Sequence, residues 1–521
     1  MPDRSYLIGI DIGTTSTKAV LFQEDGTTVA EVTHAYPLYT PTPDVAEQKP
    51  EEIWSAVVTA VRSLMDRSQI EPAQILCLAL GSAMHSIIAV DAAGNLLTNS
   101  LTWADNRSAE WAERLRRDPR GSNLYHRTGV PIHSMSPLTK LLWLRHEQPD
   151  IFHRAAKFIS IKEFVLFRLC QQYVVDYAIA SATGLLNLKN LAWDAEALEL
   201  ASISDQQLSQ LVPVTHVVHP FDPGVAAQLG LATDTAIVVG ASDGALANLS
   251  VGAMTPDRVT VTVGTSGAVR AIVKQPWTDP QQRLFCYALM DDYWLVGGSV
   301  NSGGIVWQWA REQFSDVKGT PQSGGDPYEG LWNLANSVAP GANGVLFHPY
   351  LAGERAPIWT ANASGSFIGL TLRHSKAHLV RSLLEGIALN LNLVLQALKQ
   401  VIGEPTFIVA TGGMARSPLW RQLLADVTAH PVQVPTSYGS SCWGAAIVGL
   451  YALGRLSSLE AGTATLGASK DYQPNPENVA VYQKIVPVYA GLLERLQSEY
   501  HSIAQLQADL AALHDRTSDR G

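Results

Sequence analysis

The chain has 521 residues, of which 46% are hydrophobic and 16% charged, and this composition predicts two or more packed α/β domains rather than a disordered chain. Its net charge of −10 and its lack of a basic run argue against nucleic acid or an anionic membrane surface as a partner. Four widely spaced cysteines indicate reduced thiols, not a metal site. With no signal-peptide pattern and no apolar run of about 18 residues, we expect a cytoplasmic protein without a membrane span.

The first predicted element is a β-hairpin in the segment YLIGIDIGTTSTKAVLF, residues 6–22. Asp11 stands in its apolar first strand, where a carboxylate is costly unless it is paired or binds a cation. The turn that follows offers backbone N–H groups and hydroxyls that can hold phosphate oxygens. These groups belong to Thr14, Thr15 and Ser16, and Lys18 adds a positive charge. The alternative is a polar hairpin in which Asp11 caps its own turn.

A helix over residues 49–65 and buried strands over residues 75–81 and 86–91 come next. Two polar stretches then interrupt the apolar pattern, GSAMHS at 81–86 and TWADNRS at 102–108. Carboxylate and guanidinium groups bind hydroxyls in pairs and an indole packs on C–H faces, so these residue types are typical of polyol sites. The candidates are His85, Trp103, Asp105 and Arg107. A structural histidine and a loop that starts a helix are the alternatives.

Asp243 is the only charged residue between Asp234 and Asp257. Its segment, VVGASDGALANLSVGA at 238–253, is otherwise small and apolar. A lone carboxylate in such surroundings is either a turn residue or a base kept for chemistry, and the segment alone leaves both open.

A second hairpin, VTVTVGTSGAVRAIV at 259–273, repeats the plan of strand, Gly-Thr turn and strand. Its turn contains Gly264 and Thr265, which supply the same donors as the first turn. A duplicated domain with a second phosphate clamp explains the repeat, and a plain β-turn is the alternative. We therefore predict domains over 1–252 and 253–463, followed by a helical tail over 464–521.

The second half adds a surface loop at 315–327, a long helix at 377–402 and a buried helix at 440–454. In ATGGMARSPLW a strand reaches Gly412 and Gly413, and a helix then starts with Ser417 as its N-cap. These glycines can let a nucleotide lie against the backbone, or they can serve a plain strand-to-helix turn. Two further charged residues, Glu354 and Arg355 in HPYLAGERAPIW, are either a local ion pair or part of a site. The polar tail beyond about 503 is expected to fray.

Taken together, these segments resemble the FGGY family of carbohydrate kinases over roughly residues 5–460. GIDIGTTSTKAVLF is similar to the family's first phosphate motif, VGASDGA to its catalytic aspartate segment, TVGTSG to its second phosphate motif and ATGGMARSPLWRQLLAD to its adenosine motif. GSFIGLTLRHSKAHLVRSLLEG follows the C-terminal signature with an unusual Leu383, and SMSPLTKLLWL follows the N-terminal one more loosely, with an unusual His146. The resemblance implies an α/β fold of two RNase H-like domains, as in the actin, Hsp70 and sugar-kinase superfamily, with the active site in the cleft between them.

The resemblance also implies roles for single residues. Asp243 corresponds to the general base that takes a proton from the sugar hydroxyl, and Asp11 to the residue that holds Mg²⁺. ATP is implied as the phosphoryl donor. Its contacts are assigned to Thr14, Thr15, Ser16, Lys18, Gly264, Thr265, Gly304, Gln308, Gly412, Gly413 and Ser417, the last standing where several members have Asn.

The sugar is read from the same resemblance. The Met84-His85 pair, TWADNRS and GERAPIW are most similar to family members that phosphorylate gluconate, which implies D-gluconate phosphorylated at O6. Members that phosphorylate D-xylulose share the first two features, so a pentulose kinase is the alternative. Arg107, Lys140 and Arg355 are the candidates for binding a substrate carboxylate. A nucleotide-binding module without sugar turnover is a third reading, and the sequence leaves a homodimer open.

Overall fold

The computed structural model describes residues 5–290, 292–314, 326–435, 441–463 and 469–518, with the backbone alone for 511–518. The chain forms two compact units, each discontinuous in sequence. Unit 1 comprises Met1–Met254, Ile272–Val296 and Ser437–Gly467, and unit 2 comprises Thr255–Ala271, Gly297–Thr436 and Ala468–Gly521. The mixed α/β organisation in two units is confirmed, whereas the sequence boundary at 252/253 stays a prediction.

The strands are β1 (Tyr6–Ile12), β2 (Ser16–Gln23), β3 (Thr28–Ala35), β4 (Glu47–Gln48), β5 (Ile75–Ser82), β6 (Ile88–Val90), β7 (Ser100–Leu101), β8 (Lys157–Ile159), β9 (Val174–Asp176), β10 (Leu186–Asn187), β11 (Ala192–Trp193), β12 (Gln210–Val212), β13 (Val217–Val218), β14 (Ala236–Ser242), β15 (Arg258–Val263), β16 (Gly267–Val273), β17 (Phe285–Met290), β18 (Tyr293–Val300), β19 (Leu346–His348), β20 (Ser366–Ile368), β21 (Phe407–Thr411), β22 (Val432–Pro435) and β23 (Ser469–Tyr472).

The α-helices are α1 (Pro50–Ser68), α2 (Ala109–Arg117), α3 (Pro119–Thr128), α4 (Pro137–Glu147), α5 (Pro149–Arg154), α6 (Ile161–Cys170), α7 (Tyr177–Ser181), α8 (Ala195–Ala201), α9 (Pro223–Leu229), α10 (Asp243–Ser250), α11 (Gly304–Phe314), α12 (Glu329–Asn336), α13 (Lys376–Ile402), α14 (Pro418–Thr428), α15 (Ser441–Ala452) and α16 (Pro476–Ser518). Short 3₁₀ helices include Gly413–Arg416, which follows β21.

The main sheet of unit 1 has the strand order β13–β14–β5–β1–β2–β3. Strand β1 pairs antiparallel with β2 and parallel with β5, and β5 pairs parallel with β14. Helix α1 starts at Pro50, whose fixed φ suits a first turn, and buries an apolar face against the core of this sheet. Each large aliphatic side chain buried there contributes roughly 1.5–3 kcal/mol. This packing fixes the carboxyl ends of β1, β5 and β14 at one edge.

In the main sheet of unit 2, β15 pairs antiparallel with β16 and parallel with β21. Strand β22 pairs parallel with β21 and antiparallel with β23. The 27-residue helix α13 is long and apolar enough to cross a membrane, yet 83% of its most apolar stretch is buried within the protein. Across the described ranges, no other helix meets those criteria of length and composition.

Most of the predicted elements are confirmed, including both hairpins and helices α1, α13, α14 and α15. Of the loop predicted at 315–327, residues 315–325 lie outside the described residues. Helix α16 continues to Ser518, and Tyr500 is buried in an apolar cluster, whereas fraying beyond about 503 stays a prediction.

Candidate functional site

Three predicted site residues lie at or just after the carboxyl ends of parallel strands, at the same edge of the unit 1 sheet. In the strand register Ile12 is opposite Ser82, and Ser82 is opposite Ser242. Asp11 therefore lies near the end of β1, His85 follows β5, and Asp243 follows β14. Topology alone brings a carboxylate, an imidazole and a second carboxylate to one edge, as loops after parallel strands commonly do.

The two carboxylate oxygens of Asp11 have different surroundings. Ser441 at the start of α15 donates its hydroxyl to Oδ2. Oδ1 is buried and has no hydrogen-bond partner among the residues described. Burial raises the pKa of Asp11, and the Ser441 hydrogen bond and the charge of Lys18 oppose that rise. An orphaned carboxylate oxygen of this kind fits a divalent cation such as Mg²⁺.

The first predicted phosphate turn is tied back through its carbonyl groups. Gly13 N–H donates to Ser16 O at 3.0 Å, which closes the turn. Tyr36 Oη donates to Gly13 O at 2.7 Å, and Gln48 Nε2 donates to Thr14 O at 2.6 Å. Thr15 is exposed at the tip. Two side chains outside the motif, those of Tyr36 and Gln48, therefore hold the turn in place.

Two predicted phosphate ligands stand on β2 beyond the turn. Ser16 begins the strand, and Lys18 lies opposite Asp11 in the β1–β2 register. The Lys18 ammonium forms an ion pair with Glu31 Oε2 on β3 at 2.8 Å. Both side chains of this pair are partly exposed, so the pair is weak and leaves the Lys18 charge near Asp11.

In the loop TWADNRS, the side chains of Asp105 and Arg107 bind each other. The Arg107 guanidinium donates to both carboxylate oxygens of Asp105, at 2.8–3.1 Å, and to Glu47 Oε1 at 2.5 Å. It also lies over the ring of Trp143, 4.5 Å from the centroid. Asp105 is fully buried and accepts the backbone N–H of Ala46 at 3.0 Å. This cluster holds the loop firmly against β4.

All three cations predicted as carboxylate receptors have protein partners. Arg107 faces two carboxylates, as described above. Lys140 is fully buried, and its ammonium donates to two backbone carbonyls at 2.8 and 2.7 Å. Burial lowers the pKa of Lys140 to about 7. Arg355, in unit 2, donates to Asn301 Oδ1 at 2.8 Å and to Val300 O at 3.1 Å.

His85 is held in a strained and well-defined state. Its φ of 68° lies in the left-handed region, which costs energy for a residue with a Cβ. Nδ1 lies 2.8 Å from Ala182 O, and because a carbonyl cannot donate, Nδ1 carries the proton. Nε2 lies 3.4 Å from the hydroxyl of Tyr287. The neighbouring Met84 packs against the apolar cluster around Val175 and Ile179.

Asp243 directly follows β14, and the end of this strand is irregular. The β14–β5 register shifts between Val238 and Ala241, which marks a β-bulge. Gly240 in this bulge has φ 67°, and a Cβ there would lie 1.8 Å from Leu80 O, so a side chain is excluded. Asp243 is half-buried, begins α10 and accepts the N–H of Gly244 at Oδ1, 2.6 Å away. Bulges of this kind commonly redirect a nearby side chain.

In unit 2, the predicted second phosphate turn is joined to the start of α11. Gly264 N–H donates to Ser266 O at 2.9 Å, and Gly304 N–H donates to Gly264 O at 2.7 Å. A Cβ on Gly304 would lie 2.5 Å from Gly264 O, so this backbone contact requires glycine. The Thr265 carbonyl accepts from Ile305 at 2.9 Å. Gln308 is exposed one turn further along α11, where it donates to Glu312 at 3.2 Å.

Unit 2 contains a cavity of about 1070 Å³, large enough for a nucleotide. Two predicted residues line it, Gly413 and Ser417, whereas the lining does not include Gly412, Gln308 or the second phosphate turn. Ser417 caps α14 by accepting from Trp420 N–H at 3.4 Å. The other lining residues are Asp326, Pro327, Tyr328, Trp332, Asn333, Asn336, Arg416, Pro418, Leu419, Gln422 and Tyr472.

Several of these contacts could not be found from local sequence patterns. Ser441 meets Asp11 across 430 positions of the chain. Tyr472 reaches the cavity from β23, where its hydroxyl accepts from Arg421 at 2.8 Å. Tyr328 and Trp332, close together in the sequence, gave a local signal for the cavity. Aromatic rings commonly line small-molecule sites.

Comparison with known proteins identifies the fold and the family. The chain is 47% identical over 511 residues to a gluconokinase of Bacillus licheniformis, covering 98% of this chain and 99% of that protein. It is 28% identical to a xylulose kinase of Staphylococcus epidermidis, with 98% and 99% covered. Solved structures titled as a gluconate kinase and a ligand-bound xylulose kinase, both from Lactobacillus acidophilus, match with TM-score 0.90 and 38% identity over 96% of this chain and 99% of theirs.

The family domains match in the expected order along the chain. The N-terminal domain of the family matches residues 6–250, and the C-terminal domain matches residues 259–453. The two matches span most of both units, and the solved relatives share the two-domain sugar-kinase fold. This chain therefore belongs to the FGGY family of carbohydrate kinases and is a sugar kinase with ATP as its phosphoryl donor.

Proposed function

We propose that this enzyme phosphorylates D-gluconate at O6, yielding 6-phosphogluconate and ADP. The observation that carries the proposal is identity of 47% and 46% over nearly the whole chain to two proteins named gluconokinase, against 28% to xylulose kinases. Phosphorylation of D-xylulose is the second candidate, because a solved structure of a xylulose kinase is also 38% identical to this chain.

We assign gluconate to the edge of the unit 1 sheet and to the adjoining polar loop. The proposed contacts are Met84, His85, Trp103, Asp105, Arg107 and Asp243. Support comes from the parallel register that places Asp11, His85 and Asp243 at one edge, and from the indole of Trp103, which donates to Thr14 Oγ1 at 3.0 Å. In sequence terms, residues 1–252 bind the sugar and carry the first phosphate turn and Asp243. Residues 253–463 carry the second phosphate turn and the adenosine motif, and 464–521 form the helical tail.

Asp243 is the proposed general base. Its carboxylate accepts the proton of the gluconate O6 hydroxyl as O6 forms a bond to the γ-phosphorus of ATP. The bond between that phosphorus and the β–γ bridging oxygen breaks, and ADP leaves. In a loose transition state most of the acceleration comes from positioning and charge neutralisation, so a carboxylate is a strong enough base. The bulge before Asp243 supports this role because bulges commonly redirect a nearby side chain.

ATP is proposed to place its adenosine in the unit 2 cavity, against Gly413 and Ser417 and between the aromatic walls. The phosphates are assigned to Thr14, Thr15, Ser16, Lys18, Gly264 and Thr265, with Gly304, Gln308 and Gly412 in the surrounding backbone. The contacts of Gly304 and Gly412 favour a role in holding turns, because the backbone approaches each so closely that a Cβ would clash.

Asp11 is the proposed residue for Mg²⁺, on the basis of its orphaned buried oxygen. When bound, the ion would neutralise charge on the transferred phosphoryl group.

Arg107 is the favoured receptor for the gluconate carboxylate among the three candidates. Its side chain is 19% exposed, whereas that of Lys140 is fully buried. The sugar would then share the guanidinium with Glu47 and Asp105.

The test is a coupled assay of ADP release with Mg²⁺-ATP across gluconate, other aldonates, xylulose, ribulose and glycerol. We expect the highest kcat/KM for gluconate, with the product identified as the 6-phosphate by ³¹P NMR. Turnover of xylulose without turnover of gluconate would move the enzyme to the second candidate. We further propose that the enzyme is cytoplasmic and binds neither nucleic acid nor a membrane.

A further inference from the structure

A buried ion pair lies next to the proposed sugar site without belonging to it. Lys162 on α6 and Asp176 at the end of β9 have side chains 1% and 0% exposed, and their charged atoms are 2.7 Å apart. Such a pair is weak evidence for stability, because desolvation of the two charges offsets most of their attraction. The contacts that the two residues make to the rest of unit 1 indicate another role.

One contact reaches the strand that carries the proposed base. The Lys162 ammonium donates a second hydrogen bond, of 3.2 Å, to the carbonyl of Ala241. Ala241 is the residue at which β14 regains its register after the bulge, two positions before Asp243. An irregular strand end lacks part of its ladder of hydrogen bonds. The ammonium therefore holds the backbone at the point where the direction of Asp243 is set.

The other contact leads to His85. Asp176 Oδ1 accepts the N–H of Ile179 at 3.1 Å and so caps α7. Ala182, directly after this five-residue helix, donates its N–H to Ile179 O at 3.2 Å. Its carbonyl is the acceptor that orients the imidazole of His85. The cap on α7 thus fixes the group that sets the tautomer and the ring direction of His85.

We infer that Lys162 and Asp176 form a positioning pair, which holds the proposed base Asp243 and the proposed sugar ligand His85 in their relative geometry. This inference rests on the proposed function. Neither residue contacts the sugar in the proposal. Lys162 acts through the carbonyl of Ala241, and Asp176 acts through the N–H of Ile179 in the helix that it caps. Displacement of a reacting group by about 1 Å can cost roughly 100-fold in rate, so a pair that fixes both groups is worth its desolvation cost.

The test variant is Lys162→Met combined with Asp176→Asn. It removes both charges, so the net charge of the region is unchanged, and the new amide oxygen can still cap α7. The variant should fold, because replacing both partners of a buried pair is close to neutral. We expect kcat/KM for the sugar to fall roughly 10- to 100-fold, while KM for ATP changes less than about twofold.

A matched control removes another buried pair. Arg381 and Glu385 on α13 are 2.7 Å apart, with side chains 6% and 3% exposed. They bind the hydroxyl of Tyr482, and none of their described contacts is to a proposed site residue. Arg381→Met with Glu385→Gln should affect the melting temperature at least as much as the first variant does. Its kcat/KM per folded molecule should stay within about threefold of the wild type.

A double-mutant cycle separates positioning from general damage. Asp243→Glu keeps a carboxylate but moves it by one methylene, so its position is already lost. If Lys162 and Asp176 act through Asp243, their replacement costs less in this background than in the wild type. Full additivity, or wild-type kcat/KM in the folded double variant, overturns the inference.

Two further experiments complete the test. If the double variant does not fold, Lys162→Met alone is assayed, because the remaining aspartic acid can then take up a proton and still cap α7, while the hydrogen bond to Ala241 O is lost. Wild-type kcat/KM in that variant also overturns the inference. If the wild type turns over a sugar other than gluconate, the same variants are assayed with that sugar. A wild type inactive on every sugar contradicts the proposed function, whereas an active wild type with unchanged variants contradicts only the positioning pair.

Discussion

The indole N–H of Trp103 donates to the hydroxyl of Thr14 at 3.0 Å, across 89 positions of the chain. This bond joins the polar loop assigned to gluconate to the turn assigned to the phosphates of ATP. The positions of the two segments are therefore linked by a direct side-chain contact. Asp105 and Arg107, two and four residues further on, anchor the same loop to Glu47.

Replacement of Trp103 by Phe should lower kcat/KM for both substrates. The ring is kept but the donor is lost, and a net hydrogen bond of about 1 kcal/mol corresponds to a loss of roughly fivefold in kcat/KM. Thr14→Val removes the same bond from the other side. Steady-state kinetics should show that the double variant loses little more than either single one. Independent, additive losses would show that the bond does not couple the two segments.

Replacement of Asp243 by Ala should remove turnover while nucleotide binding is kept. Loss of a positioned general base costs about 10²- to 10⁴-fold in kcat. Calorimetry should find ATP binding unchanged within about threefold, since the adenosine is assigned to the unit 2 cavity. Asp234→Asn, an exposed carboxylate before β14, is the control and should have normal kinetics. Near-normal turnover of the Asp243 variant would remove the base from the mechanism.

Replacement of Ser441 by Ala should raise the Mg²⁺ concentration needed for half-maximal rate. The Ser441 hydroxyl stabilises the carboxylate of Asp11, and its loss raises the pKa of Asp11 further, so protons compete better with the cation. Ser441→Thr keeps the hydroxyl and should behave like the wild type. A Mg²⁺ titration at fixed ATP is the measurement, and an unchanged midpoint in the Ala variant would count against Asp11 as the Mg²⁺ residue.

Sequence patterns predicted the parts of the site that depend on local spacing. Both Gly-Thr turns and the isolated Asp243 stand out because charge and glycine interrupt apolar strands. The partners of these residues were beyond prediction, because contacts such as that of Ser441 with Asp11 depend on how distant segments fold together. The same holds for Arg107, a predicted candidate whose pairing with Glu47, 60 positions away, decides how much of its charge is available.

The buried carboxyl of Glu163 should make stability depend on pH. Burial raises its pKa from 4.5 to about 7. Between those values the folded protein binds more protons than the unfolded chain, so this residue's contribution to the free energy of unfolding falls as pH rises. The slope is at most about 1.4 kcal/mol per pH unit, and above pH 7 the contribution is constant.

Glu163→Gln removes that dependence and still leaves an acceptor for Ser160 N–H, which caps α6. Urea unfolding from pH 5 to pH 8 should therefore show the variant gaining stability relative to the wild type up to pH 7 and no further. A constant difference between the two proteins across this range would contradict the raised pKa.

The adjacent Gly412 and Gly413, of which only Gly413 lines the cavity proposed for adenosine, should respond differently to a single added methyl group. Gly412 has φ 89°, and a Cβ there would lie 2.4 Å from Val263 O, so Gly412→Ala should destabilise unit 2. A Cβ on Gly413 meets nothing within 4 Å, yet Gly413 lines the cavity. Gly413→Ala should therefore keep the melting temperature and raise KM for ATP, since a bound nucleoside against this backbone has to move away. Normal KM for ATP in a stable Gly413→Ala variant would place the adenosine elsewhere.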